Sequence, residues 1–243
     1  MGRVLIIGGG AAGMAAAIAA AGCGHEVHLY EKNEKLGKKL FITGKGRCNV
    51  TNACSMEELM NHVVSNPRFL YSSFYGFTNE DMMRLLEKNG CPLKVERGNR
   101  VFPVSDKSSD VIGALSRQMK ELGVRVHLYG QVKELLVEDG VCQGIQVLQE
   151  NRGERSQERG GRDRAKAPKN RDGKTSEEAF CPVWGDAVIV ATGGLSYEAT
   201  GSTGDGYRFA AENGHKITEL LPALVPFQVK EPVVKDLQGL SLR

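Results

Sequence analysis

The first thirty-one residues leave this chain little choice of fold. Residues 4–7, VLII, form a short, wholly apolar, β-rich run, followed at 8–13 by GGGAAG and at 14–21 by an alanine-rich stretch. An apolar run without alternation marks a strand buried on both faces of a parallel sheet. Residues 25–31, HEVHLYE, read as a second strand, so the chain opens on a βαβ unit. Inside that unit Gly8-x-Gly10-x-x-Gly13 stands directly between strand and helix, and Glu31 ends the next strand. This is the arrangement of a dinucleotide-binding turn. Gly8 permits the tight turn, Gly10 lets a pyrophosphate approach the backbone, and Gly13 admits close helix packing. Ala11 and Ala12 then belong to a helix start whose N–H groups face the phosphates. Glu31 accepts hydrogen bonds from a ribose diol and repels a 2′-phosphate. Placed at a surface edge, it is expected to tolerate replacement by alanine with weaker cofactor retention and little harm to the fold.

The fingerprint alone does not separate NAD from FAD. Glu31 is followed at once by Lys32 and a long polar loop, where a nicotinamide-binding domain has its next helix and strand, and this favours FAD. The centre of that loop, GKKLFITGKGRCNVTN at 37–52, holds four lysines or arginines, two threonines and two asparagines and has no helical or strand period. Helices follow over 78–88, capped by Thr78 or Asn79, and over 108–122, capped by Ser108 or Ser109. Strands are expected at 124–129, 131–137 and 141–148, the last two joined by a tight turn at Glu138-Asp139-Gly140. Residues 180–184 return to that meander, 186–191 form another buried strand, and 204–213 a helix.

Composition bounds the rest. With 243 residues, 41% hydrophobic and 25% charged, the chain has the balance of a soluble globular protein. Its formal charge of +3 resides in the segment 151–178, which has no aliphatic or aromatic residue larger than alanine. That segment reads as a flexible charged insertion in the meander, and the remainder is electrically balanced, which argues against nucleic acid as a partner. Six cysteines lie far apart with no C-x-x-C pair, which suits free thiols in a cytoplasmic protein. No run is long enough to span a membrane. Arg47 beside Cys48 would lower that thiol's pKa, and Cys54 stands six positions on. A redox pair or, more simply, packed thiols fit that spacing. His25 and His28 are placed on one face of the second strand with a surface or packing role, and no histidine cluster with metal or triad spacing is visible.

The loop at 37–52, together with ATGGLSYEATGSTGDGYRFAAENGH at 191–215, resembles a family of FAD-dependent flavoprotein oxidoreductases. That family includes a bacterial 3-dehydro-bile-acid reductase and proteins labelled aminoacetone oxidases. TGDG at 203–206 is also similar to the fumarate reductase flavoproteins. The resemblance runs from Gly2 to the last residue apart from 151–178. It implies an α/β fold of the FAD/NAD(P)-binding Rossmann type, a parallel sheet with helices and a β-meander, incomplete at its C-terminus. Residues 1–221 would then form the FAD-binding domain, and 222–243 the start of a truncated substrate domain. The resemblance implies that the loop runs beside the pyrophosphate toward the flavin, with Lys32, Lys39, Thr43, Arg47 and Asn49 as binding residues and Arg47 and Asn49 at the flavin end. It implies adenine contact at Val132 and a second nucleotide-binding turn at Ala191, Thr192 and Gly193. Asp205 either caps its helix or bonds the cofactor. The expected activity is hydride transfer from NAD(P)H through FAD to an activated C=C bond of a small organic substrate, steroid-like ones included. Amine oxidation and nucleotide binding without turnover are the alternatives. No catalytic residue is named.

Overall fold

A computed structural model of the chain describes residues 1–149, 179–222, 230 and 233–237. The opening unit is β1 (Arg3–Ile7), α1 (Ala11–Gly22) and β2 (Glu26–Glu31). The long excursion from β2 contains α2 (Lys38–Ile42), β3 (Thr51–Asn52), α3 (Met56–Asn61), α4 (Pro67–Gly76), α5 (Asn79–Lys88), β4 (Leu93–Glu96), β5 (Arg100–Pro103) and α6 (Ser108–Glu121). It returns through β6 (Arg125–Leu128) and continues into β7 (Val132–Glu138), β8 (Val141–Gln149), β9 (Ala179–Trp184), β10 (Ala187–Val190) and α7 (Asp205–Glu212).

Four strands form a parallel sheet in the order β10-β1-β2-β6, with Ile6 beside both Ile189 and Leu29. Period-two alternation then decides what covers each face. Val4, Ile6, Val27 and Leu29 point to a helical layer, where Met14 and Ala17 of α1 meet Val111, Ala114, Leu115 and Met119 of α6. The alanines of α1 bring that helix close to the strands. Leu5, Ile7 and Tyr30 point the other way, into a second core with Val132, Ile145, Val147 and Phe209. That layer is the antiparallel meander β7-β8-β9, turned at Asp139 and Gly140, both of positive φ. The α/β architecture read from the sequence is therefore present, with helices on one face of the parallel sheet and a meander on the other.

Three details differ from the sequence reading. A small sheet, β3-β5-β4, lies within the excursion; its strands are two to four residues long, too short for periodicity to show. Thr78 caps α5 through a reciprocal box with Asp81, but neither serine caps α6: Lys107 precedes it, and the Ser108 hydroxyl donates to the Phe41 carbonyl at 2.7 Å. His25 and His28 do not share a face. His25 precedes β2 and accepts from the Gly2 N–H, whereas His28 is buried, 3.0 Å from His127 Nε2 and stacked with it. An interval of three residues places side chains on opposite faces of a strand. Burial, then His28 and Arg125, hold the His127 imidazole below the usual histidine pKa.

The expected insertion at 151–178, and all of the proposed 222–243 segment except 222, 230 and 233–237, lie outside the described residues. Among the described residues no helix is long and apolar enough to cross a membrane, and no group of three His, Cys, Asp or Glu side chains is placed to hold a metal.

Candidate dinucleotide-binding site

Where β1, β2 and β10 end, the parallel sheet opens into a cavity of about 500 Å³. Its floor is the turn after β1. Gly8 has φ +107°, and a Cβ there would strike the Ala191 carbonyl; a Cβ on Gly13 would strike the Gly8 carbonyl oxygen. Helix α1 thus lies against the turn at a distance only glycine allows. Gly10 is different. Its backbone is extended and an added Cβ would meet nothing within 4 Å, so open space lies above the helix start. No side chain caps α1 and its first turn has no acidic residue. The positive end of a twelve-residue helix, with Ala11 and Ala12 on the wall, thereby faces the cavity. Gly13 is not on the wall; it supports Gly8 from beneath.

Glu31 stands at the end of β2, 8% exposed. One carboxylate oxygen accepts from the Gly9 N–H at 2.7 Å; the other accepts from the backbone N–H and side-chain amide of Asn33 at 2.8 and 2.6 Å. The oxygen bonded to Gly9 retains a second lone pair for a ligand hydroxyl. The residue expected to touch only a ribose also ties the glycine turn to the loop after β2. Asn33 lies in the polar loop after Glu31 and is not among the residues the sequence singles out; no local pattern marks it as the donor to Glu31.

Beside this floor lies the segment after β10. Ala191, Thr192 and Gly193 are on the cavity wall, as are Val132 at the start of β7 and Lys32, Lys39, Thr43 and Asp205. Asp205 does not cap α7, whose N-cap is Gly204 without a side-chain bond. It pairs with Lys32 at 2.7 Å, and Lys32 also reaches the Thr203 hydroxyl at 2.5 Å. Lys39 donates to the hydroxyl and carbonyl of Ser196 at 2.6 and 3.0 Å. Two lysines therefore bridge the β2 loop to the β10 loop across the rim. Tyr30, Leu40 and Phe209 add an apolar side that sequence reasoning had assigned only to core or loop. Burial pushes the Tyr30 phenol above its ordinary pKa.

The structure brings together all the named candidates except Gly13, Arg47 and Asn49. Arg47 does not line the cavity. Its guanidinium lies over the Phe102 ring at 4.2 Å, donates twice to Asp106 at 2.8 and 2.6 Å, and reaches Glu96. Asn49, with its amide nitrogen turned inward, donates to the carbonyls of Thr51 and Val101 at 3.1 and 3.3 Å and so holds the small sheet. Between Thr43 and Cys48 the backbone is left-handed at Gly44, Lys45, Gly46 and Cys48. For Lys45 and Cys48 such conformations cost about 1–3 kcal/mol each.

Cys48 itself is 1% exposed, packed in the helical-side core. Burial pushes its thiol up, against a weaker opposing hydrogen bond from Thr43. The activation expected from Arg47 is absent because the two neighbouring side chains diverge and the guanidinium is taken by carboxylates. No disulfide joins any of the six cysteines among the described residues. A raised pKa leaves less thiolate at neutral pH, so at about pH 8 iodoacetamide should modify exposed Cys23 at least ~10-fold faster than Cys48 in the folded chain. Peptide mapping decides it; equal labelling would put Cys48 in an accessible site.

Residues 2–158 match the HI0933-like protein Rossmann domain family. Among curated proteins, the chain is 30% identical over 233 residues to the 3-dehydro-bile acid delta(4,6)-reductase of Clostridium scindens, covering 95% of this chain and 48% of that protein. It is 26% identical over 237 residues to the ribosomal RNA dihydrouridine synthase of Escherichia coli, covering 98% and 50%. The chain thus spans about half the length of the curated relatives it matches. Among solved structures, Mycobacterium smegmatis Sdh1 in complex with UQ1 aligns with TM-score 0.59 at 21% identity, over 87% of this chain and 38% of that one. The open conformation of a flavocytochrome c3 fumarate reductase aligns with TM-score 0.53 at 24% identity, over 88% and 40%. These two share the fold. With the glycine turn, the acid at the end of β2 and the family match over residues 2–158 agreeing, the chain belongs to the HI0933-like Rossmann-domain family.

Proposed function

We propose that this chain is the FAD-binding part of a flavoprotein oxidoreductase that uses NAD(P)H to saturate a C=C bond conjugated to a carbonyl. The observation that carries the cofactor is the open space over Gly10 at an uncapped helix start, beside Glu31, which lines the same cavity and is bonded to the Gly9 N–H. A diphosphate fits the first and a ribose diol the second. Gly10, Ala11 and Ala12 would hold the diphosphate through backbone N–H groups, and Glu31 would orient the ribose. Val132 and the apolar side beside Phe209 suit the adenine. Ala191, Thr192 and Gly193 would close over the chain between nucleotide and flavin, while Lys39, bonded among the described residues only to Ser196, would face the phosphates as a cation and Lys32, paired with Asp205, would donate hydrogen bonds. Thr43 leads the 37–52 loop toward the flavin. When bound, FAD supplies the two-electron chemistry, so that NAD(P)H and a proton become NAD(P)⁺ and the alkene gains two hydrogens.

The substrate class is supported by the names of two relatives. A bile acid delta(4,6)-reductase and a dihydrouridine synthase both saturate a C=C bond that stands in conjugation with a carbonyl. A small substrate is favoured over RNA because the charge outside 151–178 is balanced. Uridine in RNA is the second reading, carried by the Escherichia coli relative.

The chain should take up FAD as a one-to-one complex when titrated by flavin fluorescence, and anaerobic NADH or NADPH should bleach the bound yellow colour. Product analysis with a 4,6-dienone steroid and with unmodified ribosomal RNA then separates the substrates. FAD binding without bleaching would leave a binding module, and amine-dependent bleaching without NAD(P)H would favour amine oxidation. Absence of FAD binding would end the reading.

A further inference from the structure

We infer that Arg47 is a positioning residue, which clamps the cavity-lining turn to the small sheet and touches no part of the cofactor. The inference rests on FAD being the ligand of the cavity. The turn begins at Thr43 on the cavity wall and closes through two backbone bonds, Arg47 N–H to the Gly44 carbonyl at 3.2 Å and Cys48 N–H to the Thr43 carbonyl at 3.1 Å. Adjacent side chains then leave in different directions. Cys48 is sunk in the core, and Arg47 lies on Phe102 of β5. The guanidinium is shared between Asp106, just beyond β5, and Glu96 at the end of β4. Lys94 completes the group, 2.7 Å from Asp106 and 3.6 Å from Glu96. Two cations and two anions are thus matched on one sheet, and the Arg47 charge is neutralised there before any ligand enters.

A turn with three successive left-handed residues, Gly44, Lys45 and Gly46, does not hold itself. Anchoring by the two residues that follow it keeps Thr43, and through its hydroxyl bond at 2.7 Å the Leu40 carbonyl, on the cavity wall. Loss of the clamp therefore acts on the cofactor through Thr43 and Leu40. The forked geometry matters: a lysine at position 47 retains the charge but cannot span both carboxylates.

The test compares Arg47→Ala, Arg47→Lys, Asp106→Asn and the Arg47→Ala/Asp106→Asn pair in the 243-residue chain. Asparagine tolerates the left-handed backbone of position 106 (φ +57°). FAD affinity, the spectrum of the bound flavin, and amide hydrogen exchange over residues 43–48 without ligand are read. Each alanine or asparagine variant should weaken FAD about tenfold, with the pair no weaker than either alone. Arg47→Lys should fall between, the flavin spectrum should be unchanged, and exchange across the turn should rise. A spectral change in Arg47→Ala that Asp106→Asn does not share would overturn the inference in favour of flavin contact. Additive losses, unaltered exchange, or a lower Tm at full affinity would also overturn it. A parent chain that fails to bind FAD defeats the functional reading alone, and the exchange data then decide whether the clamp holds the turn.

Discussion

Gly10→Val should fold with the parent's Tm and bind no FAD, whereas Gly13→Ala should lose both cofactor and stability. The two glycines are three residues apart, and their surroundings are opposite. A side chain on Gly10 meets nothing within 4 Å, and the backbone there is already extended. Valine costs the fold little and occupies the space over the helix start that a diphosphate needs. A Cβ on Gly13 is driven into the Gly8 carbonyl, so helix and turn must separate. Overpacking of this kind costs about 1–3 kcal/mol, and the turn loses its shape as well. We expect affinity to fall by at least about a hundredfold in both variants, since each tenfold is about 1.4 kcal/mol. Isothermal FAD titration beside thermal unfolding reads both quantities. If Gly10→Val retains FAD, the phosphates do not lie over the start of α1.

Glu31→Ala should weaken FAD by about a hundredfold and, contrary to what its place at a strand end suggests, also lower stability. The carboxylate is buried and takes three donors, the Gly9 N–H at 2.7 Å and two from Asn33 at 2.8 and 2.6 Å. Alanine leaves the Gly9 N–H without its acceptor, a loss of about 1–3 kcal/mol for a buried donor, and removes charge-assisted bonds of about 1.5–3 kcal/mol. Glu31→Gln separates the two effects. Its amide oxygen still accepts from Gly9, so most of the stability should return, while the ribose faces a weaker acceptor and affinity recovers only in part. Equal FAD affinity in the parent, Glu31→Gln and Glu31→Ala would remove Glu31 from the site.

This double duty shows how the cavity is assembled. The glycine turn, the loop after β2 and the loop after β10 come from three separate parts of the chain. Glu31 joins the first two, and Lys32 with Lys39 joins the second to the third, through Asp205 and Ser196. A part-exposed ion pair such as Lys32–Asp205 contributes little to stability. With the Lys39–Ser196 bonds it holds the two loops together beside the cavity.

The sequence by itself determined the parts whose information is local. A four-residue apolar strand, three glycines at fixed offsets and an acid at the end of the next strand specify a βαβ phosphate turn, because φ, close approach and helix polarity are decided within a few residues. The unbroken apolar run of β1 likewise predicted a strand buried on both faces. The tertiary structure alone decided where long side chains go. Arg47 reads as a donor at the flavin end of the loop, and the fold alone brings Glu96 of β4 and Asp106, after β5, to it. Cys48 reads as a packed thiol or as one of a redox pair, and its burial in the core decides for packing. His28 finds His127 only because β6 pairs with β2. For Arg47 and His28 the partners lie 49 to 99 residues away, and a polar side chain takes whichever opposite charge or ring the fold brings within its reach.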